Sequence, residues 1–371
     1  MLLLWNMNLW RENILWIIGS LIIIPWFWLW FFDRLGIIEH KKRAQYYKRK
    51  PVPNAQWIRL RATLIIIIWI LGRNYIDNQY MLIYLWAITL LSIIATIDLF
   101  KPIPSWVRLL LQISLFTIIV VYGGVSIETI RVIGWDVSIT QWIAIIGSII
   151  WFGVCTNAIN WFDGIQGQAS WVTAIGSFSL WAVVTFIVLP SYTELTPYIR
   201  DQIEITRIIS FSLWLVSIVY TMIEYKPLWL IRDIGTTIFW FSLAYLALLG
   251  GAKIGTLIVT LSLVLLDMIW VIINRLIIMK KNPMKWDYTH LHHRLIANGR
   301  NRSEVRWFVW IRSSILSVLM LLQWTNSINK RIILIMMAIL FFGINIYIFW
   351  IKKAPTEMKV EFNTEDVNKL E

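Results

Sequence analysis

Three of the four histidines in this 371-residue chain fall within four positions, in Lys285-Trp-Asp-Tyr-Thr-His290-Leu-His292-His293-Arg294-Leu. Imidazole and guanidinium groups set among apolar sequence need polar partners, because burying each unpaired costs on the order of several kcal/mol. Three readings are open. Basic His and Arg beside carboxylates suit a pyrophosphate clamp, a structural loop network is the bland alternative, and a metal site is the third. Zinc is disfavoured by the spacing, since adjacent histidines converge poorly on one ion and the single cysteine, Cys155, brings no thiolate set.

Carboxylates and amides supply the complement. Asp267 stands in Leu265-Leu-Asp-Met-Ile-Trp, where an ionised side chain facing lipid would cost about 2.5 kcal/mol or more, so it must face the interior, a cation or water. Arg275 follows about two helical turns later. In Asn157-Ala-Ile-Asn160-Trp-Phe-Asp163-Gly-Ile-Gln166-Gly, Asn160 and Asp163 lie one turn apart. Amide plus carboxylate is a set that Mg²⁺ takes when it also holds substrate phosphates, although turn formation and capping explain the same residues alone. Asp98, before Lys101-Pro102, is either a ligand-positioning group or the terminator of a span. His40 is isolated in a basic loop, where solvation suffices.

These groups must be positioned by membrane helices. Hydrophobic residues make up 58% of the chain, against about 45 to 50% in soluble domains, and apolar runs approach the roughly 20 residues that cross a bilayer. The predicted architecture is an all-α, polytopic integral membrane protein with about eleven transmembrane helices, at 12–32, 58–72, 80–97, 107–123, 141–156, 170–190, 207–224, 234–250, 254–275, 307–324 and 331–351. A single membrane domain covers 1–351, followed by a polar tail at 352–371. The first span is too long for a signal-peptide core and lacks a cleavage site.

Net charge is +13, but its placement argues against a nucleic-acid partner. Lys and Arg crowd the connections at 33–57 and 276–306, which the positive-inside rule makes cytoplasmic, and such loops attract anionic lipid at about 1 kcal/mol per basic residue. In that orientation Asp98, the 157–170 connection, Arg232-Asp233 and the histidine cluster all fall on the cytoplasmic side. Matching internal repeats are absent, which disfavours an inverted-repeat transporter. Carboxylates for a hard cation, cations for phosphate and a surrounding membrane suit phosphoryl transfer onto a lipid.

Taken in order, Asn-Ala-Ile-Asn-x-x-Asp-Gly at 157–164, Asp-x-Gly-Thr at 233–236, Asp267 with Arg275, and the segment from Asp287 through His-Leu-His-His-Arg-Leu at 290–295 resemble the signatures of the polyprenyl-phosphate N-acetylhexosamine-1-phosphate transferases, relatives of the translocase that makes lipid I. The resemblance runs from about Lys50 to Leu295. It implies a bacterial cytoplasmic membrane enzyme with its site facing the cytoplasm, a UDP-N-acetylhexosamine donor, undecaprenyl phosphate as acceptor, and Mg²⁺ or Mn²⁺ as cofactor. The sugar 1-phosphate, GlcNAc-1-phosphate in the nearest branch, would pass to the lipid and release UMP, beginning cell-envelope polysaccharide synthesis of the lipopolysaccharide or teichoic acid kind.

By the same resemblance Asp163 and Asp267 would hold the metal and Asp98 would position or deprotonate the lipid phosphate. Asn157, Asn160, Asp233 and Arg275 would orient ligands, and His290, His292, His293 and Arg294 would grip the pyrophosphate or sugar. A homodimer is among the assemblies left open.

The chain departs from the family pattern at named positions. Leu99 stands where a second aspartate follows Asp98, Gln166 replaces the second aspartate of Asp-Gly-x-Asp-Gly, Gln56-Trp57 replaces a Gly pair, and Arg232 replaces a Gly. A catalytically degenerate homologue that binds polyprenyl phosphate or nucleotide sugar is therefore the alternative to an enzyme. Trp57, Trp171 and Trp240 also stand where that family has Gly, in a chain with 25 Trp and 17 Gly. One explanation is UGA codons that the source organism reads as glycine; the other is ordinary interfacial tryptophan in an AT-rich coding sequence. Intact-protein mass separates them: a mass matching 25 tryptophans rules recoding out, and a deficit identifies recoded positions by peptide mapping.

Overall fold

A computed structural model describes residues 15–20, 23, 56–100, 103–127, 129–132, 135–191, 196–225, 232–249, 254–280 and 289–325. Helices supply the architecture: α1 (Gln56–Gly72), α2 (Gln79–Phe100), α3 (Ser105–Val121), α4 (Gln141–Phe162), α5 (Gln168–Val183), α6 (Pro197–Glu224), α7 (Arg232–Leu248), α8 (Ile254–Thr260), α9 (Ser262–Ile273), α10 (Leu291–Ala297) and α11 (Arg302–Thr325). Each expected span from 58–72 to 307–324 coincides with a helix or, at 254–275, with the pair α8 and α9. The spans expected at 12–32 and 331–351 lie outside the described residues, apart from 15–20 and 23. Among the described residues, five helices are long and apolar enough to cross a membrane, and α8 with α9 makes a sixth if taken as one bent span.

Local chemistry explains the boundaries. Pro104 precedes α3, and Thr196 caps α6 by accepting from the Ile199 N–H at 3.4 Å with Pro197 at the first helical position, a pairing that satisfies exposed donors and presets φ. α6 begins about ten residues before the predicted span, because its first turns carry Arg200, Asp201, Glu204 and Arg207. Charge hides those turns from a hydropathy scan, yet Arg207 forks onto Glu204 at 2.7 and 2.9 Å. Between α3 and α4 lies a two-stranded antiparallel hairpin, β1 (Thr129–Val132) and β2 (Trp135–Ser138), the one departure from all-helical structure among the described residues.

Two irregularities shape the later half. The apolar run 254–275, predicted as one span, bends by 78° at Leu261, with no Pro or Gly at the break to announce it. Downstream, α9 loosens into a π-helical turn at Asn274–Ile278; such insertions shift the facing of side chains and recur at functional sites. Arg275, in that turn, is 2% exposed.

Helix α7 is the axis of the bundle, with Ile238 to Leu248 buried almost completely. It packs chiefly on α4 and also on α2 and α5. Phe116, Phe152 and Phe241 stack at 5.3 to 6.3 Å, and Tyr84 and Tyr245 extend that aromatic core. Polar tethers set the register: Tyr84 Oη meets Ser242 Oγ at 2.8 Å, Tyr245 Oη donates to the Tyr80 carbonyl at 2.7 Å, and Trp151 Nε1 donates to the Ala244 carbonyl at 3.1 Å. Trp240 is wholly buried there and Trp171 stacks on Trp310, while the Trp57 side chain lies outside the described residues. Hydrogen bonds between membrane helices contribute roughly 0.6 kcal/mol on average, so Tyr84→Phe should lower stability by about 1 kcal/mol or less in an SDS or thermal unfolding series without changing the fold.

Candidate functional site

The registers place the motifs together. Because Tyr84 faces Ser242 and Tyr80 faces Tyr245, α2 and α7 run antiparallel, and Asp98 at the end of α2 shares an end of the bundle with Asp233 at the start of α7. Trp151 opposite Ala244 and Phe152 against Phe241 make α4 antiparallel to α7 as well, bringing Asp163 to that same end. α5 and α11 run parallel, with Trp171 on Trp310 and Ser179 Oγ against Ser317 Oγ at 2.6 Å, so both begin there.

At this end Asp267 organises the histidine segment. Its Oδ2 lies 3.0 Å from His290 Nδ1, its Oδ1 accepts the Leu291 N–H at 2.8 Å, and Arg294 Nη2 stands 3.7 Å from Oδ1. On the far side of the ring, His290 Nε2 is 3.3 Å from Arg275 Nη2. A guanidinium only donates, so Nε2 accepts and Nδ1–H donates to Asp267. The π turn at 274–278 thus aims Arg275 inward, and Asp267 orients the imidazole while capping α10 from a neighbouring helix. Arg294 also approaches the Trp270 ring, at 5.9 Å.

His292 sits parallel to His290 at 5.9 Å, with His293 at 4.1 Å and the Phe162 edge at 6.4 Å. It is 2% exposed, and burial pushes its pKa well below the ordinary imidazole range, with His293, His290 and Arg302 acting in the same direction. Its Nδ1 is buried without a partner among the described residues. The ring lies directly against the Asp163 loop: a Cβ on Gly164 would fall 2.0 Å from His292 Nε2. Glycine at 164 is thus what lets the two motifs, separated by more than a hundred residues, touch. Asp163 itself is half-buried beside this contact.

The other expected residues are placed less centrally. Asp98 accepts the Ile103 N–H at 2.7 Å and pairs with Arg108 at 3.1 Å, so it closes the turn between α2 and α3. Asn157 donates to the Gly153 carbonyl at 2.8 Å and to Gln112 Oε1 at 3.3 Å. The side chains of Asn160, Asp233 and Leu99, and all of Asp287, lie outside the described residues. Arg108 and Gln112, the partners of Asp98 and Asn157, went unmarked in the sequence because nothing in α3 separates them from ordinary polar punctuation of a span.

A divalent cation has been assigned to Asp163 and Asp267 on resemblance alone. Among the described residues, no three His, Cys, Asp or Glu side chains converge as a metal site, and both Asp267 oxygens already accept N–H donors. Asp163, half-buried in the loop against His292, is a carboxylate of the kind that a cation carried in with phosphate takes.

Comparison with known proteins gives this geometry a context. Residues 81–251 match the model of the family described as Glycosyl transferase family 4. A Bacillus subtilis (strain 168) protein named "Probable undecaprenyl-phosphate N-acetylglucosaminyl 1-phosphate transferase" is 26% identical over 215 residues, 55% of this chain and 54% of that protein. The chain thus spans about half the length of the curated relative it matches. One structural consequence of the contact can be checked directly: Gly164→Ala forces a methyl into the His292 ring, and such overpacking costs roughly 1 to 3 kcal/mol. A lowered thermal midpoint in detergent is expected, with partial recovery in Gly164→Ala/His292→Ala.

Proposed function

We propose, from the match of residues 81–251 to the glycosyl transferase family 4 model, that the protein belongs to that family and transfers a sugar 1-phosphate, GlcNAc-1-phosphate in the first instance, from a UDP-sugar to undecaprenyl phosphate at the cytoplasmic membrane face. The observation that carries the reading is the contact of the Asp163-Gly164 loop with the His290–Arg294 segment, at the end of an apolar bundle where the remaining motifs also gather. The relative's printed name supports the lipid acceptor.

In the proposed reaction an oxygen of the lipid phosphate attacks the β-phosphorus of the UDP-sugar. The new P–O bond yields a lipid-linked sugar pyrophosphate, and the bond to the α-phosphate oxygen breaks to release UMP. The nucleophile is already an anion, so positioning and charge neutralisation are the protein's main tasks. In this reading His293, the less buried of the two rings, offers an N–H to the pyrophosphate, while His292 packs on Gly164 and fixes the loop beside it and Arg294 adds positive charge nearby. Asp267 and Arg275 hold His290, and through it the segment, in register. Arg108, held against Asp98 at 3.1 Å, would offer its guanidinium to the lipid phosphate, which Asp98 would help to position. Mg²⁺ or Mn²⁺, where bound, would meet Asp163 and neutralise phosphate charge.

A degenerate homologue that binds the same ligands without turnover is the second reading, favoured by Leu99 and Gln166 in place of family carboxylates. Purified protein given undecaprenyl phosphate, Mg²⁺ and a panel of UDP-sugars should release UMP only when lipid is present; lipid-independent release or none sinks the transferase. Asp267→Asn keeps the shape and removes the charge that orients His290, so lipid-dependent UMP release should fall by about ten- to a hundredfold, the range for lost orienting groups, while detergent elution profiles stay unchanged.

A further inference from the structure

The Asp163 loop is held on two sides. His292 meets it at Gly164, and the opposite side rests on α11, outside the segment that matches the family. Two consecutive loop carbonyls are taken by α11 side chains: Arg306 Nη1 donates to the Gln166 carbonyl at 3.4 Å, and Trp310 Nε1 donates to the Gly167 carbonyl at 3.2 Å. Gly167 has φ +71°, a left-handed conformation that suits glycine, and a Cβ there would press on Trp310 Cζ2 at 3.4 Å and the Thr221 carbonyl at 3.3 Å.

Both donors are themselves fixed. The Arg306 guanidinium lies 4.2 Å over the Tyr225 ring, and Trp310 stacks on Trp171 at 4.7 Å while its own carbonyl accepts Trp171 Nε1 at 3.4 Å. Arg306 is 7% and Trp310 8% exposed. A buried arginine that contributes charge-assisted donation to a main-chain carbonyl is a costly way to pack a helix, which argues for a constraint on the loop rather than on α11.

We propose that Arg306 and Trp310 are positioning residues that latch the backbone of the 163–167 loop from α11 and so keep Asp163 and Gly164 facing His292. The inference rests on the reading that this loop is part of the transfer site.

The full chain in detergent tests it with Trp310→Phe, which keeps the aromatic stack but removes the indole donor, with Arg306→Leu and Arg306→Lys, and with Val318→Ala on the exposed face of α11 as control. Loss of one such bond corresponds to about a fivefold change. Hydrogen exchange in the peptide covering 163–171 should therefore quicken about fivefold in Trp310→Phe and Arg306→Leu, with α2 peptides unaffected and Arg306→Lys close to wild type. UMP release should lose about fivefold or more in kcat with KM for the UDP-sugar within about twofold. Loop exchange at the wild-type rate in both variants overturns the latch, as does faster exchange throughout the bundle. If the wild-type protein releases no UMP, the exchange data still decide the latch, and the failure belongs to the functional reading.

Discussion

A carboxylate inside an apolar bundle must be answered by donors, and the whole site turns on how Asp267 is answered. Its two oxygens draw in His290, the Leu291 N–H and Arg294, so the basic segment that follows α9 folds back onto the helix that precedes it. An unpaired charge in that position would cost more than most single contacts in the protein contribute. Compensation of this one group sets the start of α10, the plane of His290 and the depth of Arg275.

From that anchor the geometry propagates by contact. His290 and His292 lie parallel, His292 fills the space that Gly164 leaves open, and the Asp163 loop is pinched between the histidine segment and α11. The π turn at 274–278 serves the same end, since a regular helix would present Arg275 and the residues after it at a different angle. The phosphoryl transfer proposed for this site would ask for fixed charges and excluded water more than for covalent chemistry, and cross-bracing contacts of this kind supply fixed charges.

The same accounting separates groups that look alike in sequence. Asp98 and Asp267 are both carboxylates set in apolar helices, Asp98 in the last turn of α2 and Asp267 within α9. Asp98 closes a Pro-bounded turn onto Ile103 and Arg108, a local task that the Lys101-Pro102 sequence already hinted at, whereas the partners of Asp267 lie beyond a connection more than fifteen residues away. Spacing marks the first kind of partner and is silent about the second.

Residue order and hydropathy alone determined that this is a helical membrane protein and where the apolar helices from α1 to α9 and α11 fall, because apolar runs of span length have few physical outlets. They could not place the charged early turns of α6, the bend at Leu261 or the latch from α11, since each depends on side chains meeting across helices rather than on neighbours in the chain. Tertiary structure decided that Asp267 orients a histidine with both of its oxygens and that Gly164 is the point of closest approach. The reason is that a buried carboxylate takes whichever donors the packing brings within about 3 Å, and that proximity is a property of the folded bundle.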